Sequence, residues 1–255
     1  MKIAASDFDG TISFYEKGIP EENLNAIHEW QEAGHKFGLV TGRNLGLARH
    51  GLEGYDLSPD FFVCLNGAAA FDENGQLLFA KLISSDILTR LLKHPAALES
   101  RRIGILQPVN SYGYIRRRSP EDKPLERLPI KSIDESDILN TKDVAQISLM
   151  SDTPESAVNA AEAINRDFHM QLCASSNGKF IDVNAYGCDK GTGLDNLLKC
   201  TGWQIEDILT VGDNLNDIPM LRKFRGFTIE NGINEVKAIA EKVYPSVAEM
   251  IRNHI

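Results

Sequence analysis

The stretch Lys2-Ile3-Ala4-Ala5-Ser6-Asp7-Phe8-Asp9-Gly10-Thr11 is a short β-rich run that leads into two carboxylates two residues apart. Lys2–Ala5 reads as a strand. Gly10 lets the chain turn sharply behind the acidic pair, because it has no Cβ to restrict its backbone. Working outward, Pro20–Ala33 reads as an amphipathic helix, with Pro near its start, Ile27 and Trp30 on one face and Gly34 just past its end. Phe37–Val40 is a second apolar strand, followed by Thr41-Gly42-Arg43-Asn44 and a helix, and Phe61–Leu65 is a third strand. Strands alternating with helices predict βαβ units, hence a parallel sheet with helices on both faces.

The rhythm changes after the third strand. Phe71–Lys81 reads as a hairpin around Asn74-Gly75, a pair suited to a tight turn. Beyond Ser84 the texture is mixed. A helix is expected near Asp86–Lys93, and strands at Arg102–Leu106, Gly113–Arg117 and Ala145–Met150. Thr153–Phe168 reads as a helix capped by Thr153, and a second hairpin has Asn177-Gly178 at its tip. From Gly187 the α/β alternation returns: helix Lys190–Lys199, strand Ile208–Val211, a helix near Ile218–Lys223 and strand Phe227–Ile229. The expected fold class is therefore α/β, a Rossmann-like parallel-sheet core from residues 1–82 and 187–255, with an inserted α+β domain at 83–186.

Composition narrows the function classes. The chain has 255 residues, 42% apolar and 25% charged, an ordinary globular balance that can bury a sizeable core. Its 27 basic and 36 acidic residues give a formal charge of −9, a poor basis for generic nucleic-acid binding, which needs surface Lys and Arg to neutralise phosphates. Its longest uncharged run, Ile103–Ile115, contains Gln107, Pro108 and Asn110 and falls well short of the roughly 20 apolar residues of a membrane span. No apolar leader with a small-residue cleavage site is evident. Cys64, Cys173, Cys188 and Cys200 are scattered, without CxxC or zinc spacing. They read as reduced thiols of a cytoplasmic protein with no membrane or nucleic-acid partner, monomeric or a small homo-oligomer.

Four motifs fall at predicted strand ends or helix starts. Asp7-Phe8-Asp9-Gly10-Thr11 sits at the carboxyl end of the first parallel strand, where open α/β sheets bind ligands. Thr41-Gly42-Arg43-Asn44 offers a hydroxyl and a backbone N–H at a helix start, an anion site. Asp189-Lys190-Gly191-Thr192 places a cation at another helix start, and Gly212-Asp213-Asn214-Leu215-Asn216-Asp217 clusters acidic and amide oxygens after a β-rich run. Singly, each has a plain structural reading: Asp favours turns and caps, and a lone Lys is usually solvated. Gly212–Asp217 also lacks the further spacing and terminal Glu of an EF-hand. Together and in this order, the four point to one site.

This combination resembles the haloacid dehalogenase superfamily, and within it the Cof-type sugar-phosphatase subgroup; Asn66-Gly67-Ala68 is also similar to a stretch that precedes the cap domain there. The resemblance implies an Mg²⁺-dependent phosphatase acting on a small phosphorylated metabolite. It makes Asp7 the nucleophile and Asp9 the general acid and base. Asp7, Asp9 (through its carbonyl) and Asp213 would hold Mg²⁺. The Phe8 and Gly42 N–H groups, the Thr41 hydroxyl, Lys190 and Asn216 would hold phosphoryl oxygens. Asp217 would orient Lys190 or a metal-bound water, and Thr11 would brace Asp9. Arg43 either reaches substrate or pairs with an acidic neighbour. In the inserted cap, Arg116 and Arg118 are substrate candidates or part of a solvated charge run, and Asn184 either meets substrate or serves the cap sheet.

Two other functions compete with hydrolysis. A sugar phosphomutase shares the aspartyl-phosphate but passes the phosphoryl group to a second hydroxyl. A non-catalytic binding or regulatory module would require loss of Asp7, Asp9, Lys190 or Asp213, and all four are present.

Overall fold

A computed structural model of the chain describes residues 1–115, 128–204 and 207–255. The first strands are β1 (Ile3–Ser6), β2 (Lys36–Val40), β3 (Phe61–Cys64), β4 (Ala69–Asp72) and β5 (Leu77–Ala80). Next come β6 (Arg102–Leu106), β7 (Ser111–Ile115), β8 (Ile130–Ser132), β9 (Gln146–Met150), β10 (Leu172–Asn177) and β11 (Phe180–Ala185). The last are β12 (Ile208–Val211), β13 (Arg225–Ile229) and β14 (Lys242–Tyr244). The earlier helices are α1 (Glu21–Glu32), α2 (Leu45–Leu52), α3 (Ser85–Leu92), α4 (Pro95–Leu98) and α5 (Glu135–Ile138). They are followed by α6 (Pro154–Asp167), α7 (Lys190–Thr201), α8 (Ile218–Lys223), α9 (Asn234–Lys237) and α10 (Val247–Arg252). Two compact units result: Met1–Thr41, Leu52–Phe79 and Asp189–Ile255 form the first, and Gly42–Gly51 with Ala80–Cys188 form the second.

The first unit is built on an eight-stranded sheet in the order β14-β13-β12-β1-β2-β3-β4-β5. Pairing is parallel from β14 to β3 and turns antiparallel between β3 and β4. All of β1 and β3 is buried, as expected for strands covered on both faces. Ile3, Ala5, Val40, Phe61 and Val63 pack with Leu194 and Leu197 of α7 and Met220 and Leu221 of α8. Burying each Leu or Ile here contributes about 1.5–3 kcal/mol relative to exposure. α1 starts after Pro20, buries Ala26, Ile27 and Trp30, and packs against α10; the Trp30 indole N–H donates to the Lys36 carbonyl at 2.8 Å.

The second unit carries a six-stranded sheet in the order β10-β11-β9-β6-β7-β8, antiparallel except for β7 with β8. Alternation divides its two faces. Val183, Ile147 and Ile105 share one register row and Ile181, Leu149 and Ile103 the next on that face, and all six are buried. α6 packs on β10 and β11, with Ala157, Ala161 and Ile164 buried. On the opposite face Asp182, Ser148 and Gly104 align, and the Ser148 hydroxyl donates to Asp182 at 3.0 Å.

Segment 42–51, which the sequence division keeps with the terminal segments, clusters with the second unit. The cause is Asn44. Its buried amide donates to the carbonyls of Gln107 (3.0 Å) and Asn110 (2.8 Å) and to the Ser111 hydroxyl (3.0 Å), while its Oδ1 accepts from the Leu47 N–H. The Leu45 N–H adds a bond to the Pro108 carbonyl at 3.0 Å. The tight turn Gln107–Asn110, closed by a bond from the Gln107 N–H to the Asn110 carbonyl, starts β7 at Ser111, two residues before the expected strand. The remainder of that expected strand, Arg116 and Arg117, lies outside the described residues.

Candidate active site

β1 lies between β12 and β2, and the chain winds outward from it in opposite directions, so their carboxyl ends form a topological switch point where such sheets bind ligands. Register places the motifs there: Ser6 is level with both Val211 and Leu39. Asp7 follows directly, its N–H donating to the Val211 carbonyl at 2.9 Å. Asp213 leaves β12 two residues beyond Val211, and Thr41 leaves β2 with its N–H on the Val63 carbonyl at 2.8 Å.

Lys190 reaches the same point from the start of α7, where Asp189 caps the helix and Thr192 returns the bond in a capping box. Its ammonium lies 2.6 Å from Asp7 Oδ1 and 2.6 Å from Asp217 Oδ1. Lys190 is 1% exposed and Asp217 fully buried, so both contacts lie away from solvent. The other oxygen of Asp217 accepts the N–H groups of Asp213 and Asn214, each at 2.9 Å. Thr11 donates to Asp213 Oδ1 at 2.7 Å and stands 3.5 Å from Asp7 Oδ2. The expected brace on Asp9 is, in the structure, a bond to Asp213. Gly10, with φ of 86°, makes room: a Cβ there would lie 2.5 Å from Asp213 Oδ2.

Three carboxylates against one ammonium leave this cluster with a formal charge of −2 (one minus three). Burial raises Asp7 well above the usual carboxylate range; Lys190 opposes the shift, while Asp217 and Asp213 add to it. Burial also raises Asp213, against the hydrogen bond from Thr11. Burial disfavours the Lys190 ammonium, but Asp217 and Asp7 outweigh it and hold the lysine protonated. Carboxylate oxygens of Asp7, Asp213 and Asp217 lie within 4.8 Å of one another. Both Asp217 oxygens already serve Lys190 and backbone N–H groups, leaving Asp7 and Asp213 as the outward donors. Hard oxygen donors with excess negative charge fit a small divalent cation such as Mg²⁺.

A second string of contacts runs beside this cluster. The Asn66 N–H donates to the Thr41 carbonyl at 3.1 Å, and the Asn216 amide donates to Asn66 Oδ1 at 3.2 Å. Thr41 is buried, as is the ring of Phe8, whereas Asp9 is exposed. Gly42, Arg43 and Asn184 belong to the second unit. Gly42 offers its carbonyl to Gln146 at 3.4 Å, and Arg43 folds back to donate to the Leu47 carbonyl at 3.2 Å. Asn184 is 3% exposed and donates to the Ala145 carbonyl at 3.0 Å, which places this amide in the service of its own sheet. Arg116 and Arg118 lie outside the described residues.

Two residues given no role at the site by the motifs touch these loops. Asn66 is one; the sequence marks it only within Asn66-Gly67-Ala68, the stretch similar to the one before the cap. The other is Asn231, whose amide donates to the Gly10 carbonyl at 2.6 Å and which no spacing in the sequence marks.

Residues 4–250 match the family model of haloacid dehalogenase-like hydrolases. The chain belongs to that enzyme family, and the following relatives resemble it over nearly their whole length. It is 26% identical over 267 residues to 5-amino-6-(5-phospho-D-ribitylamino)uracil phosphatase of Bacillus subtilis, covering 100% of this chain and 96% of that protein. It is 23% identical over 276 residues to pyridoxal phosphate phosphatase of Escherichia coli, covering 100% and 98% respectively. The fold superposes on that of a haloacid dehalogenase-like hydrolase from B. subtilis with a TM-score of 0.85, at 20% identity over 100% of both chains.

Proposed function

We propose that this hydrolase is an Mg²⁺-dependent phosphatase of small phosphorylated metabolites, sugar phosphates first among them, working through an aspartyl-phosphate on Asp7. The observation that carries the reading is the buried Lys190 ammonium held 2.6 Å from both Asp7 and Asp217 beside Asp213, at the switch point of the sheet. Structural stability alone gives little reason to gather three carboxylates there, since buried ions cost several kcal/mol each in desolvation. The relatives named above act on phosphorylated compounds of metabolite size, which supports the substrate class.

In this reading Asp7 attacks phosphorus while the bond to the leaving oxygen breaks and Asp9 protonates that oxygen. Asp9 then takes a proton from water, which attacks phosphorus and releases inorganic phosphate and the Asp7 carboxylate. Lys190, Thr41, Asn216 and the Phe8 and Gly42 N–H groups hold the equatorial oxygens as charge spreads over them. Asp217 keeps Lys190 charged and aimed, and Thr11 aims Asp213. Asp7, Asp213 and the Asp9 carbonyl would hold Mg²⁺, which when bound neutralises phosphoryl charge as a Lewis acid. Residues 1–82 and 187–255 form the catalytic core and 83–186 the cap that sorts leaving groups, with Arg43, Arg116, Arg118 and Asn184 as the residues to test for specificity. No described helix is long and apolar enough to cross a membrane, and none of the four cysteines is in a disulfide, which suits a protein of a reducing cytoplasm.

Phosphate release from sugar phosphates, nucleotides and cofactor phosphates, with and without Mg²⁺, tests the reading, with Asp7→Asn as control. Release that needs Mg²⁺ and Asp7 supports it. No release from any compound, or full release by Asp7→Asn, refutes it, and turnover only with a bisphosphate activator indicates a mutase.

A further inference from the structure

Leu65, Asn66 and Gly67 have φ of 55°, 51° and 91°, three consecutive left-handed residues of which two carry side chains. All three are buried. Non-glycine residues rarely adopt this conformation, Asn more readily than most, and such strain persists only where the surroundings over-determine it. The surroundings here are three loops of the candidate site. The Asn66 N–H holds the Thr41 carbonyl at 3.1 Å, and Asn66 Oδ1 accepts the Asn216 amide at 3.2 Å. The Gly67 backbone lies against the start of α7: a Cβ on Gly67 would fall 2.0 Å from the Asp189 carbonyl and 3.1 Å from the Gly193 nitrogen. One strained turn therefore touches the segments that bear Thr41, Lys190 and Asn216.

We propose that Asn66 is a positioning residue for phosphoryl binding: through its side-chain bond to Asn216 and its backbone bond to Thr41, it sets the spacing of two groups that grip the same phosphoryl oxygens. The inference rests on the function proposed above. The Asn66 side chain holds the Asn216 amide at 3.2 Å, so that Asn216 is already aimed when a phosphoryl group arrives. The left-handed backbone also explains why Asn occupies the position, because it tolerates positive φ while carrying an acceptor.

Asn66→Gly isolates the side chain, since Gly accepts the left-handed backbone and keeps the N–H to Thr41 while removing Oδ1. The measurements are kcat and KM for a phosphomonoester that the wild type hydrolyses, the inhibition constant of inorganic phosphate, and Tm. The expected result is an increase of about five- to tenfold in KM and in the phosphate inhibition constant, the loss of one hydrogen bond, with kcat and Tm little changed. A cycle with Asn216→Ala should be non-additive, the double variant binding phosphate no worse than Asn216→Ala alone. Wild-type KM and phosphate inhibition in Asn66→Gly, or strictly additive effects, overturn the proposal. So does activity that falls only in proportion to Tm, which marks a purely structural residue. If Asn66→Gly does not fold, Asn66→Ala is held to the same readouts. A wild type that hydrolyses no phosphomonoester and binds no phosphate fails the functional reading, and the proposal with it; an active wild type with an indifferent Asn66→Gly fails the proposal alone.

Discussion

Replacing Lys190 with Met keeps the length of the side chain and removes the ammonium from between Asp7 and Asp217. The two carboxylates are 5% and 0% exposed, so water cannot take over the lost contacts. Breaking a buried pair from one side leaves an uncompensated charge and costs about 3–5 kcal/mol, which for a chain of this size lowers Tm by about 6–20 °C. Scanning calorimetry at pH 7 reads the shift. Protonation of the orphaned Asp7 carboxylate relieves the cost: a group whose native pKa is raised binds more protons folded than unfolded, so stability rises as pH falls through the native value. Burial already raises Asp7 and Asp213 in the wild type, and loss of Lys190 raises Asp7 further. The Tm gap between Lys190→Met and wild type should therefore narrow from pH 7 to pH 5. Adding Asp217→Asn to Lys190→Met should recover part of the loss by removing one of the two charges. A Lys190→Met protein with wild-type Tm and wild-type turnover refutes the electrostatic account of the cluster.

Asp7→Asn should abolish phosphate release, because the amide is too weak a nucleophile to form the phosphoenzyme. Asp9→Asn should slow turnover about 10²–10⁴-fold in steady-state kinetics, the usual loss of a general acid and base. Asp213→Ala should raise the Mg²⁺ concentration for half-maximal activity, read by metal titration. Asp217→Ala should instead lower Tm, since it removes one of the two carboxylates on Lys190 and the acceptor of the Asp213 and Asn214 N–H groups. Burial holds the imidazoles of His35 and His254 below the ordinary 6.5, helped by nearby cations. Their unfolded forms take up protons first, so their contribution is full above pH 6.5 and is lost as pH falls toward the native values; Tm should drop over that window, and less steeply in His254→Phe.

Several parts of the molecule were legible because their causes are local. The strand ending in Asp7-Phe8-Asp9-Gly10-Thr11 announces itself by apolar residues followed by a glycine turn. α6 does so by Thr153 and its small apolar face, and both Asn-Gly hairpins by their turn residues. Short elements such as α4, α5, α9, β8 and β14 span too few residues for a period to register, and contacts made elsewhere decide them. Along β11, alternation puts Asp182 and Asn184 on one face, but burial of the Asn184 amide against Ala145 depends on the neighbouring strand.

Fold class, motifs and the residue types at the site are legible along the chain, since each depends on spacing within one segment. Tertiary packing selects which groups meet. Lys190 finds Asp7 across 183 positions and Asp217 across 27, and Asn216 finds Asn66 across 150. It also decided that Thr11 braces Asp213, that Asn44 fastens segment 42–51 to the second unit, and that Leu65–Gly67 is held left-handed. The physical reason is the same in each case: register and helix packing bring distant polar groups into hydrogen-bond range inside a low-dielectric interior, where position and partner set charge and direction.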